Sequence, residues 1–458
     1  MRSAALAGAA PLCTADVELS EPIEALTARA SAEGTAYDAA VLLVRLHGAP
    51  VGEITVDLPV SASALRQAVQ DQLGAQVAFH LGGDEVDPAG VDEVDQVGGD
   101  GIDAATTIRR RSVASRGGEA GEQGGAAGTA PSVSVVVATC GRPAQAQRCL
   151  AALLASDYPD FEVVVVDNDP GKVDNDRGKG AAATVVGPHL AGDARLRYLV
   201  EPRRGASRAR NAGIDVARGD IVAFTDDDVV VDPGWLAALG RTFASHPEVA
   251  CVTGLTLPYR LDTAAQRDFE RIAGFGGGYR HLRFHRDMDP PPTRLFPFTS
   301  GIAGSSNNLA VRADILRRIG RFDLRLGPGT SIGGAEDLDL LTRILLDGGE
   351  VRYEPRVLVR HDHRVAEGAV RQQIFSYGTG ATAVLTKWLL VSPALRRLLA
   401  ANAWSIAREI TRAEVTRDPS VARVTGPPHA KLQRSRILGY LCGPVLWILA
   451  LGRSAWRP

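Results

Sequence analysis

From residue 131 onward, apolar and largely β-branched runs at Val133 to Ala138, Val163 to Val166 and Ile221 to Phe224 alternate with segments of helical period. Strands that are apolar on both faces belong in the interior of a parallel sheet with helices packed on either side, so the pattern places this region in the α/β class. A polar cluster closes each run: Thr139-Cys140-Gly141-Arg142-Pro143, then Asp167-Asn168-Asp169, then Thr225-Asp226-Asp227-Asp228. Ligands of such sheets bind outside the carboxyl ends of the strands, which is where these clusters fall.

The rest of the 458 residues is built differently. Residues 39–46 form an apolar run, His47-Gly48-Ala49-Pro50 a turn, and Val51, Ile54, Val56 and Leu58 a second strand. Ser61 or Ser63 then caps a helix with Leu65, Val69 and Leu73 on one stripe, giving a small β-β-α module over residues 1–81. Between 82 and 130 the chain turns glycine-rich, first acidic and then basic at Arg109 to Arg111, with few large apolar residues; it reads as a disordered linker. Residues 131–365 form the α/β domain and 366–458 a helical tail.

Formal net charge is −2, so no global field favours nucleic acid. Lysine is scarce, with four among 51 basic residues, while alanine, glycine and arginine abound, as in GC-rich bacterial coding. The five cysteines are scattered without a C-x-x-C pair, which argues against a zinc site or a disulfide framework and fits a reducing cytoplasm. The first 12 residues lack the apolar core of a signal peptide.

Candidate chemistry gathers on acids and arginines. Asp226, Asp227 and Asp228 follow a buried strand, where their mutual repulsion calls for a cation; hard oxygen ligands suit Mg²⁺ or Mn²⁺. Arg203, Arg204, Arg208 and Arg210 crowd the start of a predicted helix, a place suited to diphosphate oxygens. Glu336 and Asp337 fall in the first turn of another helix, where a carboxylate is held as the anion, though for the pair taken alone the capping reading wins. His361 and His363 share one face after a strand-like run and could complete a metal site.

In this order the motifs resemble family 2 glycosyltransferases, over about 235 residues. Ala138 to Pro143, Val166-Asp167-Asn168 and Ala209-Arg210-Asn211-Ala212-Gly213 match its opening segments; Asp226-Asp227-Asp228 resembles its D-x-D element and Glu336-Asp337 its acidic pair. Gly304 to Arg312, Gly320-Arg321-Phe322-Asp323 and Gly327 resemble its acceptor-side segments. Cys140-Gly141 departs from the Tyr-Asn type pair that is frequent there.

The resemblance implies a GT-A fold, a Rossmann-like mixed sheet that transfers sugar from a nucleotide-diphosphate donor, most often UDP-linked, with inversion and with Mn²⁺ or Mg²⁺. It implies Thr139, Arg142, Asp167, Arg210, Asp226 and Asp227 at the donor nucleotide, Asp228 and His361 at the metal, Asp337 as general base and Glu336 as its brace. A saccharide or lipid-linked acceptor is expected, as in cell-envelope polysaccharide synthesis.

Rival readings are weaker. A nicotinamide dehydrogenase needs G-x-G-x-x-G after the first strand, and residues 139–143 hold one glycine. A carbohydrate-binding scaffold on the same fold would not need the full set of Asp226, Asp228, Asp337 and His361.

In the tail, 368–412 reads as helical, and 437–452 is a charge-free run broken by Gly443-Pro444. At 1.5 Å per residue it is short for a membrane span. A buried terminal helix and a peripheral anchor at the inner membrane face both remain open.

Overall fold

The computed structural model describes residues 11–27, 34–82, 130–169, 182–190, 192–275, 277–401 and 429–454. The glycine-rich linker and the tail between 402 and 428 lie outside the described residues.

The N-terminal unit has three strands, β1 (Leu12–Glu18), β2 (Ala39–Leu46) and β3 (Ala49–Asp57), followed by helix α1 (Ala62–Gly82). β2 and β3 are antiparallel, as the hairpin pattern predicts, and Leu65, Val69 and Leu73 of α1 pack on Leu42, Val44 and Ile54. The β-β-α reading is corrected by β1, which runs parallel to β2 from Leu12 beside Ala39 to Glu18 beside Arg45. Polar Thr14, Asp16 and Glu18 disguise this strand, and the partners of Thr14 and Asp16 lie far away in sequence. The Thr14 hydroxyl donates to the Tyr259 carbonyl at 3.0 Å, and Asp16 meets Arg45 at 2.9 Å and also pairs with Arg360. Tyr37 donates to Asp262 at 2.6 Å, and Arg45 reaches Asp232 at 2.5 Å, so the unit is docked on the larger domain.

That domain is built on a nine-stranded mixed sheet. In chain order its elements are β4 (Val133–Thr139), α2 (Pro143–Leu154), β5 (Phe161–Asp167), α3 (Ala183–Leu190), β6 (Leu196–Val200), α4 (Ala206–Val216), β7 (Ile221–Asp226), β8 (Val229–Val231) and α5 (Trp235–Ser245). Then come β9 (Val249–Pro258), α6 (Ala264–Ala273), β10 (Leu282–Phe284), β11 (Asn308–Arg312), α7 (Ala313–Ile319), α8 (Glu336–Leu346) and β12 (Glu350–His361). The strand order is β10-β12-β9-β11-β7-β4-β5-β6, with β8 also paired to β12. The block β7-β4-β5-β6 is parallel, and β11 is the antiparallel strand that joins it to the parallel pair β9 and β12.

Side chains of a strand alternate between faces, and the two cores follow that period. Val133, Val135 and Val137 pack with Leu150, Leu153 and Trp235; Val136, Val164 and Phe224 pack with Leu340 and Ile344 on the other side. Register brings the strand ends together, since Thr139 lies beside Asp167 and Ala138 beside Asp226.

β12 is irregular opposite β9 between Glu354 and Leu358, and Gly254 faces the irregularity. A Cβ at Gly254 would overlap the Val357 carbonyl oxygen. Gly254→Ala is therefore expected to cost about 3 kcal/mol of stability, read as a lower urea midpoint with an unchanged slope.

Two long helices complete the structure, α9 (Glu367–Val391) and α10 (Ala430–Ser454). They run parallel: Leu432 packs with Val370 and Ile374, Gly439 touches Gly378, and Trp447 and Ala450 pack with Ala383 and Val384. The expected break at Gly443-Pro444 does not occur, because α10 continues through Pro444. Proline removes the N–H that would bond the carbonyl four residues earlier, and here the Thr382 hydroxyl donates to that Tyr440 carbonyl at 3.0 Å.

Candidate active site at the carboxyl edge of the sheet

Gly141 turns the chain after β4 with φ +68°, and Asp169 stands where its Cβ would lie. Glycine accepts this left-handed geometry freely. The turn delivers Arg142 at the N-terminus of α2, with Pro143 in the first helical turn. Arg142 pairs with Asp227 at 2.6 Å and with Asp228. Thr139, also expected at the donor, is buried and donates to the other Asp227 oxygen at 2.8 Å. Burial, with help from the Asp228 charge and against Arg142, pushes the Asp227 carboxyl up to about 7.

Asp167 is fully buried at the end of β5, where it accepts from the Ala182 backbone N–H at 2.7 Å and the Tyr198 hydroxyl at 2.9 Å. Beside it Asn168 ties down the next loop. Its amide donates to the carbonyls of Glu201 and Arg203, and its oxygen accepts from Gly205 N–H at 2.7 Å. This fixes where α4 begins.

Arg210 of α4 joins the two acidic motifs. Its guanidinium, almost wholly buried, bonds Asp226 at 2.7 Å and Glu336 at 2.6 Å and lies over the Phe322 ring. The cation that three adjacent carboxylates call for is thus supplied in part by Arg142 and Arg210. Ala335, in the left-handed region at φ +68°, starts α8, with Gly380 of α9 against it. Glu336 is buried, and burial carries its carboxyl up to about 7 although Arg210 opposes the shift. Asp337 is half-buried and accepts from the backbone N–H of Ser306 at 3.1 Å and of Leu338 at 2.8 Å. The segment from Gly304 therefore does meet the acidic pair.

β12 pairs with β8 so that His361 lies beside Val229, and Asp362 N–H donates to the Asp228 carbonyl at 2.8 Å. His361 Nε2 stands 3.5 Å from Asp228 Oδ1, a buried oxygen with no hydrogen-bond partner. Its other nitrogen, Nδ1, is 2.7 Å from His363 Nδ1, and His363 Nε2 is 2.6 Å from Glu270 of α6. Burial pushes His361 below the usual imidazole range, so it is held neutral. In the tautomer in which His363 Nε2 donates to Glu270 and His361 Nδ1 donates to His363 Nδ1, the lone pair of His361 Nε2 faces Asp228.

Asp228 and His361 thus face each other as two groups that would suit a divalent ion. Among the described residues no group of three His, Cys, Asp or Glu side chains converges as a ready cage. Glu270 escaped the sequence reading. The signal was there: Gln266 and Glu270, four apart, sit on the same side of α6 as the buried Ala265, Phe269 and Ile272.

Residues 134–300 match the sequence model described as Glycosyl transferase family 2. The pre-mycofactocin glycosyltransferase of Mycobacterium tuberculosis is 31% identical over 163 residues, which are 35% of this chain and 31% of that protein. The glycosyltransferase AglE of Haloferax volcanii is 26% identical over 335 residues, 72% of this chain and 96% of that one. A solved mannosyltransferase, PcManGT from Pyrobaculum calidifontis, in complex with GDP-Man and Mn²⁺, is 18% identical with a TM-score of 0.40, covering 71% of this chain and 87% of that one. The chain spans about a third of the length of the first curated relatives it matches. Residues 134–300 of this mixed-sheet domain are therefore similar to family 2 glycosyltransferases.

Proposed function

We propose that this protein transfers a sugar from a nucleoside-diphosphate donor, UDP-linked in the first instance, to an acceptor hydroxyl with inversion at the anomeric carbon. The observation that carries the reading is the Arg210 bridge, which draws the Asp226 motif and the Glu336-Asp337 pair, 110 residues apart in sequence, into one site. In this reading Asp167, Arg142, Arg210, Asp226 and Thr139 shape the donor pocket, with Asp227 as its buried anchor. Asp337 takes the proton from the acceptor hydroxyl as that oxygen attacks in line. Glu336 is buried against Arg210, so it braces the site, and the more open Asp337 serves as base.

Asp228 and His361 would hold Mn²⁺ or Mg²⁺, which when bound neutralises charge on the departing diphosphate. The acceptor is a saccharide or a lipid-linked saccharide of envelope polysaccharide synthesis, and the reaction belongs on the cytoplasmic side of the membrane.

The test is release of nucleoside diphosphate from a panel of UDP-, GDP- and dTDP-sugars with Mn²⁺. Release from one donor names it. Silence across the panel, with no nucleotide binding by calorimetry, would replace this reading with a carbohydrate-binding scaffold. A subsidiary expectation concerns the imidazole relay: Glu270→Gln should weaken Mn²⁺ binding by about 10- to 100-fold, measured by titration calorimetry without donor. Unchanged affinity would remove Glu270 and His363 from the metal site.

A further inference from the structure

α10 has two unlike faces. One packs on α9 through Leu432, Gly439, Gly443 and Trp447, all buried. The other presents Ile437, Leu438, Leu441, Val445, Ile448 and Leu449, each more than half exposed and Leu441 as much as 69%. Spacings of one, three and four residues set these six on one helical stripe. A core helix of similar hydropathy would be buried, whereas α10 has 22% of its apolar window buried; among the described residues it alone is long and apolar enough to cross a membrane.

The charges on the stripe's own segments share one sign, and an acidic neighbour, Glu367 at the start of α9, lies 3.6 Å from Lys431. The exposed face opens with Lys431 and Arg434, and from there it is apolar as far as Leu449. At the other end Trp388 packs beside Trp447 and Leu451, so exposed residues 389–391 join the stripe's far end. Exposed Arg396 caps that end by donating to the carbonyls of Leu389 and Leu390, with exposed Arg397 next to it. Neither residues 385–401 nor 430–454 contain an Asp or Glu. A second copy of the chain docking here would oppose basic groups to basic groups, while an anionic bilayer would take the apolar stripe between acyl chains and the basic ends at its headgroups.

We infer that α10 lies in the plane of an anionic phospholipid surface, its exposed stripe in the acyl boundary and Lys431, Arg434, Arg396 and Arg397 at the headgroups. The opposite face stays packed against α9, which excludes a helix wrapped in lipid on all sides. The same helix pair supports the candidate site, since Ala335, Leu338 and Leu326 pack with Val384 and Trp447. Membrane seating therefore sets the acidic pair at a fixed relation to the lipid surface, where a lipid-linked acceptor would present its hydroxyl. The surface itself is argued from exposure and charge and does not rest on the sugar-transfer reading.

The experiment is flotation of the full chain with vesicles of phosphatidylcholine alone or mixed equally with phosphatidylglycerol. The wild type is expected to float with the mixed vesicles and far less with the neutral ones. The triple variant L441S/V445S/I448S, altered at exposed positions and checked by circular dichroism, should lose about 100-fold in partitioning. The charge variant K431E/R434E should lose about 10-fold and most of the preference for the anionic lipid. Wild type that stays in the soluble fraction, or a triple variant that floats as well as wild type, overturns the inference. So does a wild-type dimer in gel filtration that the triple variant dissociates without any vesicle binding. Donor hydrolysis measured without vesicles reads the sugar site separately, so the two can fail independently.

Discussion

Asp337→Asn is expected to cut sugar transfer to an acceptor by about 10²- to 10⁴-fold while nucleotide binding stays within a few-fold of wild type. The geometry separates this residue from its neighbour. Asp337 is half open, its carboxylate oriented by the N–H groups of Ser306 and Leu338. A base in this role takes the proton of the acceptor hydroxyl as that oxygen attacks. Asparagine keeps the shape and cannot accept that proton. Its amide would also face one of the two N–H donors, so a loss of about 1–3 kcal/mol in stability should accompany the change and is to be measured alongside. Glu336→Gln behaves differently. It loosens the Arg210 bridge and should weaken nucleotide binding and rate together, because Arg210 also holds Asp226. If Asp337→Asn retained full transfer while Glu336→Gln abolished it, the two roles would have to be exchanged.

The parallel block was legible because its strands are buried on both faces, so Val133 to Ala138 and Ile221 to Phe224 needed no long-range information. The triple aspartate was legible for a related reason: three carboxylates after such a strand are costly without a purpose, whereas the pair at a helix start stood out only through its company. What escaped the sequence was partnership. Arg142 and Asp228 are 86 residues apart, Arg210 and Glu336 126, and nothing local marks them as pairs. Strand β1 hid its buried ends behind Thr14 and Asp16, whose partners at Tyr259 and Arg360 lie in the other unit. The unbroken course of α10 depended on one hydroxyl of α9 and could not be read from Gly443-Pro444 alone.

Asp228→Asn should remove measurable Mn²⁺ binding and lower donor turnover by about 10²- to 10³-fold, with little loss of stability. Of the three adjacent aspartates, only Asp228 combines burial with an oxygen that lacks a hydrogen-bond partner and faces an imidazole nitrogen 3.5 Å away. Two lone pairs set against each other in a buried place are unfavourable on their own, and a divalent cation between them reverses the sign of that interaction. The amide of asparagine would instead donate to His361 Nε2, satisfying both groups and closing the gap, so the apo protein should melt at or above the wild-type temperature.

Asp227→Asn should give the opposite pattern. That carboxylate is fully buried between Arg142 and Thr139, and replacing it removes one of the two carboxylates that pair with the Arg142 guanidinium, at a cost of about 1–3 kcal/mol. Metal affinity measured by calorimetry should change far less. A variant pair in which Asp228→Asn melts lower and Asp227→Asn loses the metal would invert the assignment. The ion would then belong to the strand end beside Arg142 and not to the gap that Glu270 and His363 hold open.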